Sequence, residues 1–382
     1  MRVLFFSDTY LPNRDGVVSA MQGLAQEYAR RGIETFIFSS GSRKDRKSNA
    51  DRRVRYFASV PFLPYPQYKV ALFPHGALAP AKKIKPDVIH SHALATMALG
   101  AAYCAQSMGV PSVATFHTKV TDATHYVSKN RLVSGALQEF GWAYLRWLLG
   151  QFDIVTAPSM ETCKELESHG IKCVAAPNGV DTKRFSPTGA KASLGKEYAA
   201  VPKVLFVGRI VKEKNIGFLF EVAKHMKKNR QEALFVIAGK GPALGYFMEK
   251  AKADGLEGWF MFKGFVGDSG LPALYRSCDC FAQPSKFETQ GLSVLEAMAC
   301  GKPAIVVKGC ATEECIEQGK NGFALAEDPK LWARAIQSCA RGNRGMARRA
   351  RETACAHSLE KAASEMIAIY RSAQKIHKLK SK

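Results

Sequence analysis

Short apolar runs rich in β-branched and aromatic residues alternate with longer stretches of helical period along the first half of the chain. Arg2 to Ser7 reads as a strand and Val17 to Arg31 as a helix closed by Gly32. Ile33 to Ser39 is the next strand, and Asp87 to His90, Ser112 to Phe116 and Ile154 to Ala157 follow, with helical patterns between them. Strands separated by helix-length segments predict a parallel sheet covered on both faces. Ala93 to Val113 is rich in Ala and Gly but broken by Thr96, Gln106 and Ser107, so it reads as a buried helix followed by a strand. No stretch reaches the ~18 apolar residues of a membrane span.

The pattern restarts after the polar stretch from Ser186 to Pro202. Val204 to Gly208, Leu234 to Gly239, Phe260 to Gly264, Asp279 to Pro284 and Ala304 to Val307 read as strands, with helices at 216–228, 242–253, 292–299 and 330–340. Two α/β halves are therefore expected, 1–185 and 186–358, with a last helix over about 359–382 that can pack back on the first half. Ligands of open α/β sheets lie beyond the carboxyl ends of the strands, which places the expected site between the two halves.

The sharpest chemical signal is the run from Phe287 to Pro303, FETQGLSVLEAMACGKP. Glu288 stands in a loop after a strand, and Glu296, beyond seven intervening residues, stands on the next helix. Gln290, Gly291 and Leu292 would bring unpaired backbone N–H groups to that helix's N-terminus, where dipole and free donors favour an anion. A capping Glu288 and a solvated Glu296 explain the same pattern. The second signal is VGRIVKEKN, in which Gly208 turns the chain and Arg209 and Lys214 offer two cations suited to a diphosphate. The third, Gly239-Lys240-Gly241-Pro242, is a glycine turn of a kind that is usually structural. Neither G-x-G-x-x-G nor a Walker lysine motif occurs, which removes dehydrogenase and P-loop readings.

In the first half, Gly16 opens the first helix, either as a simple turn or to let backbone amides approach a phosphate. His117 ends a strand, a position open to structural and catalytic readings alike. His90 and His92 share a face but lack a carboxylate or cysteine at ligand spacing, so no metal site is expected. No D-x-D occurs, and Arg209, Lys214 and helix N-termini would neutralise a leaving diphosphate without a cation. The 10 cysteines include no C-x-x-C and are expected to be reduced, buried small hydrophobes.

Taken together, the two-half layout, Arg209 with Lys214, the Gly239 turn, Pro177-Asn178-Gly179-Val180-Asp181 and Glu288-x7-Glu296 resemble a retaining glycosyltransferase of family 4 with the GT-B fold. The resemblance covers essentially the whole chain. It implies two Rossmann-like, doubly wound domains facing each other across a cleft, the first for the acceptor and the second for a nucleotide-sugar. By the same resemblance Glu288 would bond donor-sugar hydroxyls and Glu296 the ribose. Arg209 and Lys214 would bind the diphosphate, Phe265 and Val266 would sit by the base, and Gly239, Gln290, Gly291 and Leu292 would line the donor site. Gly16 and His117 would complete the site from the first domain. Retention by a front-face path would need positioning and electrostatics, with no cofactor beyond the nucleotide-sugar, UDP-glucose first. The segment from Thr115 to Tyr126 is similar to the H-T…D-x-x-H-Y wording of diacylglycerol glucosyltransferases, which places Asp122, His125 and Tyr126 on the acceptor side. It departs from that wording at Lys119 to Thr121.

Charge bears on the acceptor. Lys plus Arg number 55 against 33 acids, a net charge of +22 that calls for a polyanionic partner. Arg43 to Arg55 carries seven cations against Asp45 and Asp51. Lys82, Lys83 and Lys85, Arg341 to Arg351, and Arg371 to Lys382 form further groups. Phe140, Trp142, Tyr144, Leu145, Trp147 and Leu148 make an aromatic-rich segment, open to a core helix or a membrane interface. With the lipid-transferase wording, these features favour an enzyme lying on the inner face of the cell membrane and using a lipid acceptor. Zinc-finger, RNP-like and helix-turn-helix wording is absent, so nucleic acid is not the expected partner. A family 4 enzyme using GDP-mannose on a soluble sugar or phosphoinositide, and a GT-B epimerase, are the competing readings.

Overall fold

The computed structural model describes residues 1–13, 15–62, 65–117, 131–342 and 344–380, and of 62, 65–68, 131–134 and 136 the backbone alone. The chain forms two compact units, Met1–Gly179 with Leu359–Lys382, and Val180–Ser358.

In the N-terminal unit, β1 (Arg2–Ser7), α1 (Gly16–Arg30), β2 (Glu34–Gly41), α2 (Arg43–Ser48), β3 (Val54–Phe62), β4 (Tyr65–Ala71) and α3 (Leu78–Ile84) come first. Then follow β5 (Val88–Ser91), α4 (Thr96–Met108), β6 (Ser112–Thr115), α5 (Arg131–Leu149), β7 (Ile154–Ala157), α6 (Met160–Ser168) and β8 (Val174–Ala175). They build an 8-stranded sheet of order β4-β3-β2-β1-β5-β6-β7-β8. Only β3 and β4 pair antiparallel. β1 is central because both its faces are apolar: Leu4 and Phe6 enter the core under α4 and α5, Val3 and Phe5 the core under α1. Each such buried side chain contributes roughly 1.5–3 kcal/mol.

In the C-terminal unit, β9 (Lys203–Val207), α7 (Ile216–Lys228), β10 (Leu234–Ala238), α8 (Leu244–Ala253), β11 (Phe260–Gly264) and α9 (Leu271–Ser277) come first. β12 (Cys280–Gln283), α10 (Leu292–Ala299), β13 (Ala304–Val307), β14 (Gly322–Leu325), α11 (Pro329–Ala340) and α12 (Arg344–Ala356) follow. The 6-stranded sheet runs β11-β10-β9-β12-β13-β14, all parallel. Its strands alternate: Val204 and Phe206 pack toward α7 and α11, Leu205 toward α9 and α10. The last helix, α13 (Leu359–Lys380), belongs to the N-terminal unit and lies on α1. Tyr28 Oη bonds Tyr370 Oη at 3.2 Å and Arg31 bonds Ser364 Oγ at 2.8 Å.

The structure adds elements absent from the sequence reading, among them α9 and α12, and departs from it most at three points. The antiparallel pair β3–β4 is hidden by the charge run before Val54 and by prolines; Pro61 sits where the register shifts. β14 begins at Gly322, a residue that depresses strand propensity. Cys163 on α6 and Cys173 beside β8 form a disulfide, against the expectation of reduced thiols, because the turn between these elements brings their Cα atoms to 5.2 Å.

Candidate active site

β9 is flanked by β10 and β12, so the connections leaving β9 and β12 run in opposite directions and open a crevice at their carboxyl ends. Gly208 and Arg209 follow β9, and a short 3-10 turn, Lys212–Lys214, leads to Asn215, whose left-handed φ of 52° opens α7. Asn215 Nδ2 donates to Pro284 O at 3.2 Å and Ser285 Oγ to Glu213 O at 3.2 Å, tying this loop to the one after β12. Across that tie Lys214 Nζ meets Glu288 Oε1 at 2.5 Å, both side chains mostly but not fully covered. Arg209, partly buried, leaves β9 at the same edge.

The glycine turn is a packing requirement. A Cβ on Gly239 would stand 1.8 Å from Gly208 O, and one on Gly241 2.1 Å from Ile210 O. Ile210 N donates to Lys240 O at 3.0 Å, so the turn after β10 sets the path of the chain through Arg209. Lys240 Nζ lies 5.9 Å over the Phe265 ring, which is 53% exposed. Val266 is half-buried against the core under α9 and α10.

Gly291 caps α10 at φ 81°, where a Cβ would collide with Thr312. The first internal bond of α10 is Val294 N to Gly291 O, so the amides of Leu292 and Ser293 precede the helical ladder. Gln290 beside them is buried. One turn on, Glu296 Oε2 accepts a 2.7 Å bond from the buried Tyr275 hydroxyl. Burial pushes Glu296 up to about 7, against the opposing pull of that hydroxyl and of Arg184. Glu288 and Glu296 thus have different partners, one a lysine and the other a phenol.

In the N-terminal unit the corresponding crevice lies at β1, flanked by β2 and β5. Asp8, just past β1, accepts bonds from the amides of Leu94, Ala95 and Met97 at 3.0, 2.8 and 3.2 Å and so caps α4. Asp15 caps α1 through Val18 N at 2.9 Å, and Gly16 has open space where a Cβ would stand. His117 follows β6, and His92 follows β5; His92 Nδ1 and His117 Nε2 are 2.8 Å apart. His90, inside β5, is bonded to Tyr370 and Thr115. Burial lowers His90 to about 3 and His117 to about 4, and lowers His92 as well, so all three are neutral at pH 7. Asp122, His125 and Tyr126 lie outside the described residues. Among the described residues no group of three or more His, Cys, Asp or Glu side chains is placed to hold a metal ion.

The basic clusters are of two kinds. Arg43, Lys44, Arg46, Lys47, Arg52, Arg53 and Arg55 are all exposed, while Asp45 turns inward to cap α2 and to pair with Lys69 at 2.5 Å. Arg351, by contrast, donates to Phe185 O, Ala299 O and Thr182 O at 2.7, 2.7 and 2.8 Å and is a structural cross-tie. α5 has two faces: Trp142, Leu145 and Leu148 are core, whereas Phe140 and Trp147 are 73% and 55% exposed. Among the described residues no helix is long and apolar enough to cross a membrane.

Several of these residues escape a reading of the sequence. Asp8 caps a helix 86 residues away, and Tyr275 meets Glu296 only through helix packing; neither leaves a local signal. Asn215 does leave one, since asparagine tolerates the left-handed region at a helix start.

A family model for glycosyl transferases group 1 matches residues 195–356, and one for glycosyltransferase family 4 matches residues 14–184. The alpha-monoglucosyldiacylglycerol synthase of Streptococcus pneumoniae is 28% identical over 315 residues, 80% of this chain and 70% of that protein. A GDP-mannose-dependent alpha-(1-6)-phosphatidylinositol dimannoside mannosyltransferase of Mycobacterium tuberculosis is 27% identical over 374 residues, 96% of this chain and 95% of that protein. The structure of Anabaena Alr3699/HepE in complex with UDP superimposes with a TM-score of 0.76 at 19% identity, over 97% of this chain and all of that one. With its two parallel-sheet units and family matches over both, the chain belongs to the GT-B glycosyltransferases of group 1 and family 4.

Proposed function

We propose that this glycosyltransferase moves glucose from UDP-glucose to a membrane lipid such as diacylglycerol, with retention of anomeric configuration, while lying on the cytoplasmic face of the membrane. The observation that carries the donor half is the Lys214–Glu288 pair at the carboxyl ends of β9 and β12, with the start of α10 close in sequence. A cation, a carboxylate and a helix N-terminus at one crevice provide for a diphosphate and for sugar hydroxyls together.

In this reading Lys214, Arg209 and the first amides of α10 take up the charge that develops on the leaving diphosphate. That supply of positive charge supports a metal-independent step. Glu288 orients the sugar through its hydroxyls, and Glu296, held by Tyr275, receives the ribose. Phe265 and Val266 take the base. The N-terminal unit receives the acceptor; Gly16 and His117 are its contributions to the reacting centre, and Asp122, His125 and Tyr126 are assigned to the acceptor. With no base needed, the acceptor hydroxyl attacks the face that the diphosphate leaves, and its proton passes to the departing oxygen.

The lipid acceptor is supported by the named activity of the streptococcal relative. The membrane location is supported by the seven exposed cations of 43–55 and by exposed Phe140 and Trp147 on α5. The mycobacterial relative supports a second reading, GDP-mannose with a phosphoinositide acceptor. One assay separates them: labelled UDP- and GDP-sugars, vesicles with diacylglycerol or phosphatidylinositol, and organic extraction. Organic label from UDP-glucose with diacylglycerol alone is the expected result. Organic label from GDP-mannose with phosphatidylinositol selects the second reading, and label that stays aqueous removes the lipid acceptor.

A further inference from the structure

The N-terminal unit buries a histidine cluster whose proton positions follow from its bonding. Thr156 Oγ1 donates to Ala114 O at 3.4 Å, which leaves it to accept from Thr115 Oγ1 at 2.7 Å. Thr115 in turn accepts from His90 Nε2 at 2.6 Å. At the other end Tyr28 Oη donates to Tyr370 Oη at 3.2 Å, and Tyr370 donates to His90 Nδ1 at 2.7 Å. His90 therefore carries its proton on Nε2 and has both nitrogens satisfied. Its ring packs against His92 at a centroid distance of 4.0 Å, and Phe5 meets His92 edge-on at 4.8 Å. These contacts leave His92 little room to turn.

His92 has one hydrogen-bonded nitrogen. Nδ1 faces His117 Nε2 at 2.8 Å, and Nε2 is buried without a hydrogen-bond partner among the described residues. Two arrangements are open. With the proton on Nε2, His92 would bury an orphaned N–H; with the proton on Nδ1, it buries only a bare ring nitrogen. Orphaned N–H donors are the rarer defect in protein interiors. The proton thus belongs on Nδ1, and the shared bond runs from His92 to His117.

We infer that His92 is a positioning residue: its Nδ1–H donates to His117 Nε2 and fixes His117 as the neutral Nδ1–H form, a hydrogen-bond donor and not a base. The lone pair that would accept a proton on His117 is occupied, so the residue acts at the reacting centre through its N–H and not as a base. This rests on the reading above only for the use made of His117; the direction of the bond stands apart from it. It also accords with a retaining path in which no side chain needs to deprotonate the acceptor. The C-terminal helix takes part, because Tyr370 on α13 holds His90 and His90 packs on His92.

The test is long-range proton–nitrogen NMR on the full-length protein labelled with 15N-histidine, with His117 assigned through His117→Asn. In the wild type His117 is expected as the Nδ1–H tautomer, titrating near its lowered value of about 4. His92→Phe keeps ring bulk but removes the donor. It should free Nε2 of His117 for protonation, so that the Nε2–H tautomer becomes populated and the midpoint rises above about 4 while burial still holds it below the ordinary histidine value, and cost roughly tenfold or more in transfer. His92→Asn restores an amide N–H at the level of Nδ1 and should return both tautomer and rate toward wild type. A wild-type His117 in the Nε2–H form overturns the inference, and that result needs no variant to fold. A His117 whose tautomer and midpoint are unmoved in a folded His92→Phe protein overturns it too. If tautomer and midpoint shift as stated but His117→Phe, which has no N–H to donate, still transfers at the wild-type rate, the positioning geometry stands and the use assigned to His117 falls.

Discussion

Lys214 Nζ and Glu288 Oε1 lie 2.5 Å apart, joining the loops after β9 and β12 in the C-terminal unit. The pair is preorganised by its neighbours, Asn215 on Pro284 and Ser285 on Glu213, so neither charge depends on the other alone for its place. In the proposed reading the two charges meet different parts of one donor, the lysine a diphosphate and the carboxylate a sugar.

That division predicts distinct losses. Glu288→Gln should lower transfer by about 10²–10³-fold while UDP affinity changes by less than about threefold. Lys214→Ala should weaken UDP binding by about tenfold or more and leave uridine binding nearly unchanged, because uridine has no phosphate. Calorimetry with UDP and uridine, beside initial rates, checks both. Equal losses of rate and UDP affinity in Glu288→Gln would remove its role at the sugar.

Glu296 gives a pH dependence with two signs. Its pKa in the folded protein is raised to about 7 from 4.5, so the native state holds its proton more tightly than the unfolded chain. This contribution to stability is present below pH 4.5 and is lost as pH rises to about 7. In the proposed role the ribose is held by the Glu296 carboxylate, so nucleotide affinity should instead rise through the same window and level off above pH 7. Titration of UDP affinity against pH checks this. Tyr275→Phe removes a bond to the ionised form and should shift the inflection upward, and Glu296→Gln should abolish it.

Four of the exposed cations sit on α2: Arg43, Lys44, Arg46 and Lys47. At about 1 kcal/mol each near an anionic leaflet, neutralising all four should weaken vesicle binding by about 10²–10³-fold. Sedimentation with anionic vesicles at physiological salt measures it. Binding retained in the quadruple variant would take α2 out of the membrane contact.

The arginines of α12 should separate by role, not by charge. Arg351→Ala unties three carbonyls and should cost about 2–3 kcal/mol of unfolding free energy. Arg348→Ala removes only an exposed pair with Glu352 and should stay within about 0.5 kcal/mol. Denaturant titrations of the two variants make the comparison.

Much of the fold was legible because the central strands are short apolar runs buried on both faces and helices are closed by glycines, as at Gly32 and Gly109. The β3–β4 pair was not, because its apolar alternation is interrupted by arginines and prolines. In the candidate site, the motif residues Glu288, Gly291 and Glu296 stand out in one segment, yet what each touches does not. Lys214 reaches Glu288 only because β12 lies beside β9, and Tyr275 reaches Glu296 only because α9 packs on α10. The histidine cluster draws on β5, β6 and α13, elements up to 280 residues apart. A pattern read along the chain carries propensity and period; it does not carry strand order.

The most direct test of the central claim is the anomeric configuration of the lipid product formed from UDP-glucose on diacylglycerol vesicles, read by proton NMR after organic extraction. UDP-glucose carries its sugar in the α-configuration, so a retaining enzyme must give an α-glucosyl lipid, with the small coupling of an equatorial anomeric proton. A β-glucosyl lipid would contradict the retaining mechanism. The absence of any glucosylated lipid would contradict the assignment of donor and acceptor together.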